Sequence, residues 1–119
     1  MSKLYFRFGA MNSGKSTSLL QAAFNYEERS QHVLLTKPAI DSKGDRSIVS
    51  RLGVTRQVDF LVEPRQNLRT LFAEHVTAFK KESGESIACL LIDEAQFLTR
   101  EQVDQCLEIA VLDGVPVLA

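Results

Sequence analysis

Apolar positions along the chain follow two rhythms that take turns. Leu4, Phe6 and Phe8 alternate with Tyr5 and Arg7, a period of two that predicts a strand running straight into a glycine-bearing loop. Leu19, Leu20, Ala23 and Phe24 then recur at helical spacing, which predicts a helix over 15–29. HVLLTKP, closed by Pro38, predicts a buried strand, and DFLVEP a third. Leu68, Leu71, Phe72, Val76 and Phe79 mark an amphipathic helix that ends in KKESG, with Gly84 placed to cap it. IACLLID is the most apolar run and has the composition of a central parallel strand. Thr99 and Gln102 predict a capping box for a last helix, whose buried face would be Val103, Cys106, Leu107, Ala110 and Val111. Asp113-Gly114 stops that helix and VPVLA begins another strand.

Between these elements, residues 39–57 show no sustained period and carry two glycines and several charges. Connections of that length inside a compact domain are uncommon and tend to be functional. Strands alternating with helices predict an α/β domain with a parallel sheet and helices on both faces. No internal repeat, low-complexity tract or linker divides the chain, so residues 1–119 read as one domain. The apolar run at its end leads us to expect a sheet that is C-terminally incomplete.

Composition narrows the function classes. The net charge of −1 offers no groove for nucleic acid or an anionic membrane surface. No apolar run is long enough to span a bilayer, and MSKLYFRF lacks the pattern of a secretory signal. Cys89 and Cys106 are too few and wrongly spaced for a disulfide framework or a zinc knuckle, which points to a cytoplasmic protein with buried thiols.

The chemistry concentrates in two places. Gly9-Ala10-Met11-Asn12-Ser13-Gly14-Lys15-Ser16 fits the phosphate-cradling loop G-x-x-x-x-G-K-[ST], set after a strand and before a helix as that loop requires. Its glycines let backbone amides approach phosphate oxygens, Lys15 would reach the β- and γ-phosphates, and the Ser16 hydroxyl would ligate Mg²⁺. The second place is IACLLIDE, where an apolar strand delivers Asp93 to the carboxyl edge of the sheet, a position suited to holding Mg²⁺. Glu94 beside it is placed to take a proton from an attacking oxygen, whether of water or of a bound hydroxyl. The expected fold is thus the P-loop NTPase type with a RecA-like sheet. Of the remaining polar residues, His75 reads as a boundary histidine, His32 as exposed, and Lys80 and Lys81 as cations suited to a helix C-terminus. Lys43, Arg46, Arg51 and Arg56 read equally as a solvated loop or as phosphate contacts.

LYFRFGAMNSGKSTSLLQ, NYEER, KPAID, VSRLG and IDEAQFLT together resemble the thymidine kinases of the cytosolic, zinc-containing type, over essentially the whole chain. The resemblance implies ATP- and Mg²⁺-dependent phosphorylation of the 5′-hydroxyl of thymidine, and less readily of deoxyuridine, in nucleotide salvage for DNA synthesis. Gly9 to Thr17 would bind the triphosphate, with Asp93, Glu94, Ala95 and Gln96 in the same nucleotide-binding segment and Glu94 as the base. Met11 and Phe97 would line the thymine pocket as apolar walls, with core packing the other reading of Phe97. Asp41 matches a family Asp-x-Arg segment, although the arginine position here is Lys43, which keeps the charge and loses the bidentate fork.

The resemblance also implies a homo-oligomer, a tetramer in the family, with no nucleic acid or membrane partner. It further implies a small zinc domain and a loop around the nucleoside. Their ligands are not found within Met1–Ala119, and Cys89 and Cys106 do not match them. This span alone is therefore expected to hold nucleotide while transferring phosphate poorly. Two alternatives remain at this stage. One is a DExx-box ATPase, in which Glu94 would activate water. The other is an ATP-binding module without turnover.

Overall fold

A computed structural model describes residues 4–5, 15–39, 47–49, 53 and 55–119. In chain order the elements are β1 (Leu4–Tyr5), α1 (Lys15–Glu28), β2 (His32–Pro38), β3 (Ser47–Val49), β4 (Thr55–Gln57), β5 (Phe60–Val62), α2 (Leu68–Ser83), β6 (Ile87–Ile92), α3 (Arg100–Val111) and β7 (Val117–Leu118), with a 3₁₀ turn over Ala95–Phe97. Five strands form one sheet in the order β1-β7-β6-β2-β5, with every pairing parallel. β6 lies at its centre, as its apolar sequence demands, because a strand covered on both faces has no side to give to polar residues.

Alternation along β2 and β6 divides the core in two. Leu34, Leu90 and Ile92 face one cluster, which packs Leu68 and Phe72 of α2 and Cys106, Ile109 and Ala110 of α3. Val33, Leu35, Cys89 and Leu91 face the other, which packs Leu19, Leu20 and Ala23 of α1. The alternation in β6 slips once. His32 pairs with Ile87 but Val33 pairs with Cys89, so Ala88 is an extra residue and Ile87 joins Leu90 on the α2–α3 side. Leu90, Leu91 and Ile92 are almost fully buried, and removing each from water stabilises the fold by roughly 1.5–3 kcal/mol.

The helix ends follow their local chemistry. Asn67 caps α2 by accepting from Thr70 N at 2.9 Å. Gly84 ends the helix in a left-handed conformation, φ 77°, and donates to Lys80 O. Thr99 and Gln102 form the predicted capping box at the start of α3. Arg69 of α2 reaches Asp113, just beyond α3, through two hydrogen bonds of 2.8 and 3.0 Å, and ties the two helices together.

Three expectations need correction. The buried stripe of α3 is Gln102, Cys106, Ile109 and Ala110, while Leu107 and Val111 are 50% and 45% exposed. Two stripes of helical spacing overlap there, and the helix turns inward the one that contains an amide. Residues 39–57 are not without structure, since β3 and β4 pair antiparallel, Ser47 with Gln57 and Val49 with Thr55. Ile48 anchors that ribbon in the α1-side core, and Arg56 pins it to α1 by pairing with Glu27 while lying over the Phe24 ring at 5.7 Å. His32 is not merely exposed: it pairs with Glu85 and leans on the Phe79 ring at 5.0 Å.

Two predictions follow from the fold. Nothing surrounds the position where a Cβ would sit on Gly84, so Gly84→Ala carries only the backbone cost of the left-handed conformation, roughly 1 kcal/mol. A thermal melt should show a loss of a few degrees, and an unchanged midpoint would contradict the capping geometry. Burial pushes the Cys89 thiol up to about 11, against a smaller opposing hydrogen bond with Tyr26, and the Cys106 thiol up to about 12. Both folded values lie above the ordinary 9.0, so their contribution to stability is complete below pH 9 and is lost as pH rises through the folded values. Titration with a disulfide reagent at pH 8 should detect neither thiol in the folded protein and both in denaturant. Fast native labelling would refute this.

Candidate functional site

The buried polar residues mark the place. Among the described residues, the buried polar or charged side chains are Thr36, Lys37, Asp93 and Gln102. The first three stand at the carboxyl ends of β2 and β6, and the fourth in the first turn of the helix that follows. Burying such groups costs free energy unless partners are supplied, so their gathering at one edge needs a reason beyond packing. In open parallel sheets that edge is where ligands bind.

The β2–β6 ladder sets the geometry. Thr36 pairs with Ile92, and Asp93 continues the ladder by donating its N–H to Thr36 O at 3.0 Å. The Thr36 hydroxyl in turn donates to Phe60 O at 2.7 Å, which carries the tie to β5. Period-two alternation puts Asp93 on the α1 face, the same side as Cys89 and Leu91. Lys37 lies on that face too, following Val33 and Leu35, and its ammonium donates to Ser47 O in β3. β1 runs parallel to this ladder and leads through the glycine loop into α1, so the N-terminus of α1 opens at the same edge. Its first amides and its dipole favour an anion there.

After Asp93 the chain turns sharply. Glu94 has φ 56° and ψ 40°, a left-handed conformation that L-residues seldom adopt, and the 3₁₀ turn follows at once. Phe97 N donates to Glu94 O at 3.1 Å and Leu98 N to Ala95 O at 3.0 Å. The half-buried Glu94 carboxylate accepts from Gln96 Nε2 at 2.9 Å. Strain of this kind persists only where the surroundings fix it, and it gathers at functional sites. Leu98 goes into the core while Phe97 stays 40% exposed. Phe97 is therefore not packed into either core of the described residues.

Of the other expected site residues, Lys15, Ser16 and Thr17 open α1, with the side chains of Lys15 and Ser16 outside the description. Gly9, Ala10, Met11, Asn12, Ser13, Gly14, Asp41 and Lys43 lie outside the described residues. Ala95 and Gln96 lie in the 3₁₀ turn that follows Glu94. His75 is held away from the edge, Nδ1 lying 2.9 Å from Leu71 O and the ring stacking on Phe60 at 4.4 Å, as a boundary histidine would. Cys89 and Cys106 are free thiols buried in the two separate cores on opposite faces of the sheet, so they cannot share one metal ion.

Among the described residues no cluster of three or more His, Cys, Asp or Glu forms a metal cage. Mg²⁺ does not need one, since it is usually held by one or two oxygen ligands together with phosphate and water. A lone carboxylate such as Asp93 at the carboxyl edge of the sheet fits that habit. An open groove of about 750 Å³ along α2, lined by Asn67, Thr70, Ala73, Glu74 and Thr77, lies on a helix of the opposite face. Gln102 was legible in the sequence only as a capping residue. Its burial, and that of Lys37, carried no signal in periodicity because both are polar.

A parallel α/β sheet flanked by helices, with β7 between β1 and the acid-bearing strand β6, is the architecture of the P-loop NTPase fold. The thymidine kinase family profile matches residues 2–119, and the chain belongs to that family. It is 50% identical over 119 residues to a thymidine kinase of Idiomarina loihiensis, covering 99% of this chain and 58% of the relative. It is 48% identical to one of Legionella pneumophila strain Paris over 100% of this chain and 54% of the relative. A Haemophilus influenzae thymidine kinase matches at 41% over 99% and 58%. The chain thus spans a little over half the length of these curated relatives. Among the described residues no helix is long and apolar enough to cross a membrane.

Proposed function

We propose that residues 1–119 are the nucleotide-binding domain of a thymidine kinase, binding Mg-ATP at the carboxyl edge of β6 and using Glu94 as the base. The observation that carries this reading is the Asp93–Glu94 pair, leaving the central strand at the edge where α1 begins, in a chain of the thymidine kinase family. Gly9 to Thr17 would cradle the phosphates. The Ser16 hydroxyl and the Asp93 carboxylate would hold Mg²⁺, which when bound offsets the negative charge of the β- and γ-phosphates.

The reaction needs little covalent work from the protein, so its residues act mainly by placement and charge. The thymidine 5′-oxygen attacks the γ-phosphorus, and a new O–P bond forms as the bond to the β,γ-bridging oxygen breaks. ADP leaves with that electron pair, and the 5′-hydroxyl proton passes to Glu94. The Gln96 amide donates to the Glu94 carboxylate, which orients it toward that proton. The exposed ring of Phe97 offers a flat apolar wall to the base, with Met11 opposite and Asp41 near the sugar. A cytoplasmic homo-oligomer taking deoxyuridine as a weaker substrate completes the proposal, with zinc held by residues other than Cys89 and Cys106. Family membership does not favour the ATPase alternative.

The test follows γ-labelled ATP in the intact protein with Mg²⁺ and thymidine. Label should move to the nucleoside, and Glu94→Gln should slow that transfer by about 10²- to 10⁴-fold. Glu94→Gly should be equally inactive yet melt no lower than the parent, because glycine tolerates the left-handed conformation. Label released to water regardless of thymidine would mark an ATPase, and tight binding without ADP release would mark a module without turnover. Either result overturns the proposal.

A further inference from the structure

A capping box asks of its third residue only an oxygen that reaches back to the cap N–H, and a glutamate serves as well as a glutamine. Gln102 does more. Its Oε1 accepts from Thr99 N at 3.0 Å, while its Nε2 donates to Glu63 O at 2.8 Å and to Gln66 O at 3.1 Å. The side chain is 2% exposed, and both hydrogens of its amide are used on the stretch that leaves β5. A carboxylate could fill the capping role but would face those two carbonyls with no proton to give.

That receiving stretch is itself braced. Glu63 N donates to Gln66 Oε1 at 2.8 Å, Leu68 N to Gln105 Oε1 at 2.7 Å, and Thr70 N to Asn67 Oδ1. The segment on the other side of Gln102 is the one that carries Glu94. It is held at its start by Asp93 N on Thr36 O, and at its end by buried Leu98 and by Thr99 N on Gln102. Between these points Glu94 keeps its left-handed backbone. The amide thus ties the exit of the central strand to the exit of the edge strand.

We propose that Gln102 is a positioning residue for Glu94: acting through Thr99, it fixes the end of the 94–98 segment and so sets where the carboxylate stands. The inference rests on the reading of Glu94 as the base. Gln102→Glu retains the cap and removes the tie, and Gln102→Met removes both without adding charge.

In the intact protein, both variants should lower kcat for thymidine phosphorylation by between about tenfold and a hundredfold, the scale of a small misplacement. KM for ATP should change by less than kcat, since the base acts on the chemical step. Hydrogen exchange of the Phe97 and Leu98 amides should quicken in both variants, and that of Thr99 in Gln102→Met, while that of β2 and β6 does not. A lower melting temperature with unchanged kcat and unchanged exchange at 97–99 would make Gln102 merely structural and overturn the inference. If the parent does not phosphorylate thymidine, the proposed function fails separately. The tie is then judged by exchange alone, and unaltered protection at 97–99 in both variants refutes it.

Discussion

β6 pairs with β2 from Ile87 opposite His32 to Ile92 opposite Thr36, and the other features of the domain take their places from that register. A slip of one residue would exchange the faces of Leu90 and Leu91, break both cores, and turn Asp93 from the α1 side to the α2–α3 side. The extra residue at Ala88 confines the mismatch to the start of the ladder, so alternation is clean over the last turns of side chains before the edge. Burial of Leu90, Leu91 and Ile92 therefore does two jobs at once. It holds the sheet together, and it fixes the position at which two carboxylates leave it.

The polar groups at that edge form a graded system. Asp93 is held by the ladder itself, through Thr36 O, and is nearly inaccessible. Glu94 is one residue further out, half-buried, on a backbone conformation that only its neighbours enforce. Phe97, 40% exposed, is the most accessible of the three. The roles we propose for them, a metal-holding acid, a proton acceptor and an apolar wall for a base, call for increasing freedom in that order. Lys37 adds a buried cation on the same face and fastens β3 to the sheet through Ser47 O. The Gln102 amide closes the system on the opposite flank.

Much of this was legible in the sequence where chemistry and period agree. The central strand, the Gly84 cap, the Thr99–Gln102 box and the boundary role of His75 all follow from local rules that tertiary contacts did not override. The misreadings of α3 and His32 share one cause, the assumption that apolar means buried and polar means solvated. Periodicity puts Leu107 and Val111 in the core, whereas the structure turns Gln102 inward and leaves them out. The short strands β3 and β4 escaped because three-residue strands are too brief to show a period, and their anchors, Ile48 and Arg56, are separated in sequence. In the candidate site, the apolar run IACLLI brings Asp93 to the carboxyl edge of the sheet as its pattern implies. The left-handed turn at Glu94 was not foreseen, since nothing in a glutamate announces positive φ.

The central claim is that nucleotide sits at the carboxyl edge of β6 on the α1 face. Amide hydrogen exchange along the chain, with and without Mg-ATP, tests it most directly. The account predicts slower exchange confined to residues 9–17 and 93–97, with no change along the α2 groove around Thr70 to Thr77. Protection of that groove, or none at 93–97 under saturating nucleotide, would contradict it.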